Sequence, residues 1–331
     1  MPSERFRTLL LTMGGRASFI RLLVVAVAIV VVFGVLNPSV FLSGQNLQYV
    51  ELASPEVAIL SLAMALTMLT AGIDLSVVSI ANLSGVVAAL LMTNGQSTGL
   101  ALLGAVGTAL ACGAVNGLLV GYKHVPPILA TLATGQLFSG LALVASGGTV
   151  VKGLPESFTR IALVTVAGVP LIFWVMLIVA AIVGVVVAKT PLGFRMRLVG
   201  ANPTAADFSG IRRARVLLAT YVMSGALGGV AGLIISARAG GANSDYGASY
   251  VLLAVVIAVL AGVDPEGGYL TVAGVVIAAI AMQLLGAGLL SLSVSSHVVN
   301  ICQGLLLVTM VLLNTWGTAL SGLFARRRVT A

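Results

Sequence analysis

Uncharged apolar stretches of about twenty residues recur along this chain from Leu22 to Leu313, and that pattern restricts the fold more than any other. A hydrocarbon core ~30 Å thick needs about 20 mostly apolar residues per spanning helix. Lipid offers backbone N–H and C=O groups no partners, so a spanning chain must be helical or form a closed barrel. Barrel strands alternate apolar and polar residues, whereas these runs are continuous. The expected fold is therefore all-α, a polytopic membrane protein forming a single transmembrane domain over residues 1–331. Composition agrees, because 8% of the residues are charged and 59% are hydrophobic, against about 25% charged in an ordinary soluble domain.

Breaks at Gly, Pro and charged residues divide the runs into ten spans, near 22–36, 52–70, 77–92, 99–120, 128–146, 166–188, 216–236, 249–263, 269–290 and 298–315. An even number places both termini on one side of the membrane, and the distribution of Lys and Arg tests it. One side receives Arg5, Arg7, Arg16, Arg21, Lys123, Lys189, Arg195, Arg197, Arg212, Arg213, Arg215, Arg326, Arg327 and Arg328; the other receives Lys152, Arg160 and Arg238, completing the 17. Positively charged loops stay in the cytoplasm, so this asymmetry predicts both termini inside. The basic residues form no soluble patch interleaved with aromatics, which argues against a nucleic-acid partner despite a net charge of +8. No clear small-x-small cleavage site follows the first run before Asn37-Pro38, so it is expected to remain as an anchoring helix. Cys112 and Cys302 lie alone in apolar stretches without metal-like spacing and read as core residues. Tyr122 and Trp316 suit membrane interfaces.

The longest cytoplasmic connection, residues 189–215, gathers polar residues and is far longer than most of its neighbours. A connection of that length in a helical bundle usually has a task. A second organisational feature is internal similarity: Ala71-Gly72-Ile73-Asp74 is echoed by Ala261-Gly262-Val263-Asp264, and Gly85-Val86-Val87-Ala88-Ala89 by Gly274-Val275-Val276-Ile277-Ala278. An offset of about 190 residues crosses six spans and describes a parallel repeat.

Gly72-Ile73-Asp74-Leu75-Ser76 interrupts what would otherwise be one apolar stretch from Leu52 to Met92. An Asp near a helix centre costs roughly 2.5–3.5 kcal/mol on insertion scales, so such residues face a cavity, a partner or a helix end. Here Gly72 frees the backbone, Ser76 can cap the following helix, and Asp74 can accept N–H groups near its N-terminus. A capped loop at the membrane surface and a role in a translocation path both satisfy this pattern. The run Gly72 to Ser79, G-I-D-L-S-V-V-S, resembles the G-I-D-L-S-V-G-S signature of the membrane permeases of bacterial monosaccharide ABC importers, the ribose, xylose and rhamnose group. Val78 stands where that family has glycine, which implies closer packing or a narrower path.

Three further segments carry the same resemblance in the same order. Val125-Pro126-Pro127-Ile128-Leu129-Ala130-Thr131-Leu132 is similar to V-P-P-F-I-A-T-L; Pro126 and Pro127 lack donors and belong at the first turn of a span. Gly200-Ala201-Asn202-Pro203-Thr204-Ala205-Ala206-Asp207-Phe208-Ser209-Gly210-Ile211 resembles G-x-N-x-x-A-A-x-x-x-G-I. That pattern is related to the loop through which importer permeases dock on their ATPase, with Thr204 in place of the glutamate of the broader motif. Pro203 can start a short helix, the small residues Ala205, Ala206 and Gly210 offer a smooth docking face, and Asp207, Arg212 and Arg213 can rim it. Asn243 to Tyr250 resembles the stretch before the family's eighth span, and Ala261 to Gly268 occupies the place of its glycine-rich loop while carrying Asp264, Pro265 and Glu266.

The resemblance runs from about Leu36 to Asn314. It implies a permease subunit whose coupling residues are Gly200, Asn202, Ala205, Ala206, Gly210 and Ile211, and whose path or gate includes Gly72, Asp74, Ser76, Pro126, Pro127 and Thr131. It also implies four partners: a cytoplasmic ABC ATPase, an extracytoplasmic sugar-binding protein, a second copy or homologous permease, and membrane lipid. The departures at Val78 and around Asp264 lean toward a homologous partner. No cofactor belongs to the chain itself, since ATP and Mg would sit on the ATPase. Consistent with that, no G-x4-G-K-[ST] occurs. A secondary transporter would carry acids or His relays within its spans, and of nine acids only Asp74, Glu51 and Glu56 fall in or near one. An intramembrane enzyme lacks its motifs, with no H-E-x-x-H and two distant histidines, His124 and His297. Gly113-x3-Gly117 and Gly228-x3-Gly232 have the spacing that lets helices approach closely.

Overall fold

A computed structural model of the protein describes residues 4–295, 297–306, 308 and 309, with side chains from Phe19 onward. Each of the ten expected spans carries a helix, the last described only in part. Among the described residues, seven helices are long and apolar enough to cross a membrane: α1 (Glu4–Leu36), after α1 and the single-turn α2 (Pro38–Phe41) α3 (Gly44–Leu69), then beyond α4 (Val77–Thr93) α5 (Thr98–Gly121) and α6 (Pro127–Ala145). The other three are α8 (Leu171–Lys189), which follows the short α7 (Glu156–Thr159), α11 (Arg213–Ala239) and α13 (Val272–Ser291). Three apolar helices are shorter: α4, α12 (Tyr250–Leu260) and α14 (His297–Leu306). At 11 residues, α12 covers about 16 Å, half a hydrocarbon core.

The helices start where local chemistry directs. Ser43 and Ser97 accept the Asn46 and Leu100 backbone N–H groups at the starts of α3 and α5, and α6 opens on Pro127, whose missing donor costs nothing at that position. The connection between α8 and α11 is itself helical. Thr190 caps α9 (Pro191–Ala201) through Gly193 N–H at 3.2 Å, and Asn202 caps α10 (Pro203–Phe208) through Ala205 N–H at 2.9 Å. Two departures from an all-α chain occur among the described residues, both short. β1 (Val151–Lys152) pairs antiparallel with β4 (Gly241–Ala242), and β2 (Thr165–Val166) with β3 (Val169–Pro170). The second hairpin turns at Ala167 and Gly168, with φ of 54° and 82°, as a two-residue turn requires. The expected span at 166–188 therefore begins only at Leu171.

The centre of the bundle is α3, in which every residue from Ala53 to Leu69 is buried. Around it pack α11, α13, α12 and α8, and α11 also lies along α5 and α4. Glycines allow that last contact. A Cβ at Gly113 would lie 2.5 Å from the Tyr221 carbonyl oxygen and one at Gly117 2.8 Å from Leu218 Cα, while one at Gly232 would overlap the Ala81 carbonyl. The small-residue spacing thus serves packing, as the sequence suggests. Cys112 is buried in this layer. Outward faces are apolar: Val24 and Val27 on α1, Leu103 and Leu118 on α5, and Ile178, Ile182 and Val185 on α8 are exposed, a surface stable in lipid and not in water. Trp316 and Arg326 to Arg328 lie outside the described residues.

Candidate functional site

The loop between α3 and α4 is built by three constraints. At the end of α3, Gly72 N–H reaches back to the Thr67 carbonyl at 3.0 Å and Ala71 N–H to Met68 at 2.9 Å, a left-handed closure of the helix. Ala71 takes the positive φ, 59°, so the expectation that Gly72 frees the backbone is corrected. Gly72 is needed for space, because a Cβ there would stand 2.6 Å from the Tyr221 hydroxyl and 3.4 Å from the Pro127 ring. Asp74 then turns the chain into α4 by accepting Ser76 N–H at 3.0 Å.

Ser76 makes no side-chain cap to α4, a second correction to the sequence reading. Its hydroxyl instead donates to Asp74 Oδ1 at 2.6 Å and accepts Asn116 Nδ2 from α5 at 2.7 Å. Asn116 Oδ1 accepts the Thr134 hydroxyl of α6 at 2.5 Å, and Asp74 Oδ2 accepts the Ser224 hydroxyl of α11 at 2.9 Å. Thr131, one turn before Thr134, accepts Leu75 N–H at 3.1 Å and has the Ile73 carbonyl at 3.0 Å. Asp74, Ser76, Asn116, Thr131 and Ser224 are fully buried. The carboxyl group therefore sits in a closed hydrogen-bonded network joining four helices, which meets the requirement that intramembrane polar groups find partners. Only Asp74, Ser76 and Thr131 were nominated by sequence. Asn116, Thr134 and Ser224 are polar residues in largely apolar spans that carry other polar side chains as well, such as Thr108, Gln136 and Thr220, so the sequence alone did not distinguish them. Pro126 and Pro127 hold the turn that brings Thr131 against the loop.

Gly200, at the junction of α9 and α10, meets this loop directly. Gly268 N–H donates to the Leu69 carbonyl at 2.9 Å. A Cβ on Gly200 would overlap that same carbonyl and lie 2.6 Å from Gly268 N, and one on Gly267 would lie 2.9 Å from Ala71 N. The end of α3 just before the Gly72 to Ser76 motif thus meets the segments 200–211 and 261–268 by backbone approach. The two echoing segments use the same kind of closure one residue out of register: the left-handed residue is Ala71 in the first and Gly262, φ 80°, in the second, where Val263 N–H bonds the Ala258 carbonyl and Asp264 accepts Glu266 N–H at 2.9 Å. Asp74 is buried while Asp264 is exposed.

Beyond Gly200, Asn202 caps α10, Ala206 is buried, Ala205 is exposed and Ile211 half-buried. Gly210 has φ 74° and no atom within 4 Å of the place a Cβ would take. Ala206 therefore faces the body of the protein, and Ala205 and Gly210 present the small outer surface. Pro191, Phe194, Arg195, Gly210, Arg212 and Arg215 surround a groove of 680 Å³. Phe208 is 89% and Phe194 63% exposed. Neither aromatic belongs to the small-residue pattern of the loop, although a bulky apolar side chain among arginines outside a span is itself a signal. At the opposite end of the bundle, Glu56 of α3 is buried against Arg238 and Tyr250.

Lipid-facing helices around a clamped polar loop, with short helices projecting at that same end, define the class: a multi-pass membrane permease domain. The chain belongs to the permease family described as branched-chain amino acid transport system / permease component, which matches residues 46–312. It is similar to the D-allose transport system permease protein AlsC of Escherichia coli K12, 32% identical over 287 residues, 86% of this chain and 88% of that protein. It is also similar to the ribose import permease protein RbsC of Bacillus subtilis 168, 33% identical with 86% and 89% covered. The autoinducer 2 import system permease protein LsrD of Escherichia coli K12 is 31% identical, with 85% and 87% covered. A solved structure of an ABC transporter in an inward-facing conformation superposes with a TM-score of 0.53, covering 90% of this chain and 98% of that one. At 15% identity that likeness is one of fold.

Proposed function

We propose that this permease is the membrane subunit of an ATP-driven importer in the bacterial cytoplasmic membrane, moving a monosaccharide of the pentose or deoxyhexose class. The sugar arrives from an extracytoplasmic binding protein, and ATP and Mg are bound by a cytoplasmic ATPase docked on α9 and α10. In this reading the ten helices all serve as spans, both termini are cytoplasmic, and a second copy or a homologous permease completes the channel. One observation carries it: the exposed α9–α10 unit is joined through Gly200 to the loops that end α3 and α12. A displacement of the docked ATPase at Gly210 and Phe208 is then delivered to the buried Asp74 network, where four helices meet. Close-packed backbones without flexible side chains between them transmit such movement stiffly. Because one relative imports autoinducer 2, a furanose signal is the second reading of the substrate.

Crosslinking tests the docking face. In a background lacking Cys112 and Cys302, single cysteines at positions 194, 208 and 210 should crosslink to the ATPase in membranes, while one at 103, on the lipid-facing side of α5, should not. An ATPase that copurifies with the permease yet never crosslinks to any of the three positions contradicts this placement.

A further inference from the structure

The end of the bundle opposite α9 and α10 holds a second set of polar groups that the coupling account does not use. A cavity of 360 Å³ is lined by Glu56, Ile235, Arg238, Tyr246, Gly247 and Tyr250, among others. Glu56, fully buried in the central helix, is satisfied on both oxygens: Oε1 accepts Arg238 Nη2 at 2.6 Å and the Tyr250 hydroxyl at 2.8 Å, and Oε2 accepts Arg238 Nε at 3.2 Å. Its charge is cancelled by Arg238, whose side chain is 34% exposed and keeps donors free for the cavity. Tyr250 also lines an adjoining cavity of 300 Å³ with Tyr49, Gln283, Asn300 and Gln303. The side chains of Tyr246, Asn300 and Gln303 make no hydrogen bond to the described residues, whereas Gln283 Nε2 reaches the Ala53 carbonyl at 3.4 Å.

A buried carboxylate paired with a partly exposed guanidinium is weak as a source of stability, since well-packed apolar residues of similar volume often do as well or better. Amide side chains inside an apolar helix such as α14 are likewise expensive unless they face a cavity or a partner. The two features occur together around one tyrosine, with open volume beside both. Their chemistry is selective: the ion pair leaves no net charge to attract an ion. The free groups are guanidinium N–H donors, phenol hydroxyls and amides that both donate and accept. Tyrosine rings add flat apolar surfaces. Hydroxyl groups on an uncharged carbon frame match all of these.

We propose that the two cavities sharing Tyr250 are a binding subsite for a neutral polyhydroxylated ligand, which the permease holds on entry from the side opposite the ATPase. The inference rests on the importer reading for its ligand class. Glu56 is a positioning residue here, fixing Arg238 and Tyr250, while Arg238, Tyr246, Asn300 and Gln303 contact the ligand.

Two measurements test it. Saturation-transfer NMR on the purified permease in micelles, with D-ribose and D-allose as probes and D-glucuronate and D-glucosamine as charged controls, should give signal for the neutral sugars and little for the charged ones. Signal should fall about three- to tenfold in Tyr246→Phe combined with Gln303→Leu, as expected for lost hydrogen bonds. Neither substitution removes a hydrogen bond that the described structure makes, so the double variant should fold. In liposomes holding the complete transporter and saturating binding protein, sugar moved per ATP hydrolysed should fall by a similar factor. Equal signal for charged and neutral sugars, no signal in the wild type, or unchanged uptake per ATP in the double variant would each overturn the subsite. Failure of the wild-type assembly to import any sugar would instead overturn the importer reading, so the two failures are distinguishable.

Discussion

Replacing Gly200 with Ala adds one methyl group at the point where three loops meet, and the structure sets what it must displace. The new Cβ would overlap the Leu69 carbonyl oxygen and lie 2.6 Å from Gly268 N and 3.0 Å from the Leu69 carbonyl carbon. All three are backbone atoms, so no side chain can swing away, and the 2.9 Å hydrogen bond from Gly268 to Leu69 lies in the path of the methyl group. Overpacking costs about 1–3 kcal/mol and a lost hydrogen bond about 1 kcal/mol, together about 2–4 kcal/mol. The cost is relieved by letting the α9–α10 unit move away from the loops, which breaks the mechanical connection. In liposomes the Gly200→Ala transporter should still hydrolyse ATP while sugar uptake per ATP falls tenfold or more. Gly210→Ala is the comparison: its methyl meets nothing within 4 Å, and its φ of 74° costs about 1–2 kcal/mol locally, so uptake per ATP should fall far less. A Gly200→Ala protein with wild-type coupling and wild-type thermal stability would refute the reasoning.

Three other outcomes follow from the same geometry. Asp74→Asn keeps the size of the side chain and can accept from Ser76 while donating to Ser224, so a loss of about 1–2 kcal/mol is expected; Asp74→Ala strands the buried Ser76 N–H and Ser224 hydroxyl and should cost about 2–5 kcal/mol. Melting temperature in detergent checks the order, and an Ala variant as stable as Asn contradicts it. Phe208→Ala should weaken copurification of the ATPase without lowering melting temperature, since the ring is 89% exposed; a lowered melting temperature with intact binding would reverse its assignment. Gly225→Ala, whose methyl would stand 2.5 Å from the Ala109 carbonyl, should destabilise by about 1–3 kcal/mol, while Gly107→Ala on the open side of α5 should be neutral or stabilising by up to about 1 kcal/mol; equal melting temperatures for the two variants would contradict the close approach of α5 and α11.

The apolar helices were legible because lipid imposes a length and a composition that any reader of the chain can measure. Two helix starts were legible for a related reason: Pro127 and Asn202-Pro203 act locally, on the turn beside them. The convergence at Gly200 was not legible, because it joins residues 69, 200 and 268 through backbone atoms that have no side-chain signature. Gly72 illustrates the limit, since its composition suggests backbone freedom while its environment shows a steric role between Tyr221 and Pro127. The β2–β3 hairpin could have been read from Ala167-Gly168 and Pro170, but the apolar residues around it disguise it as span.

The central claim is that the chain forms a path whose motion comes from a docked ATPase. Uptake of radiolabelled sugar should be measured in liposomes containing this permease, with and without its ATPase, binding protein, any obligate second permease and internal ATP. Uptake should require all of them and be insensitive to imposed gradients. Sugar entry through the permease alone, driven by a proton or sodium gradient, would contradict the account.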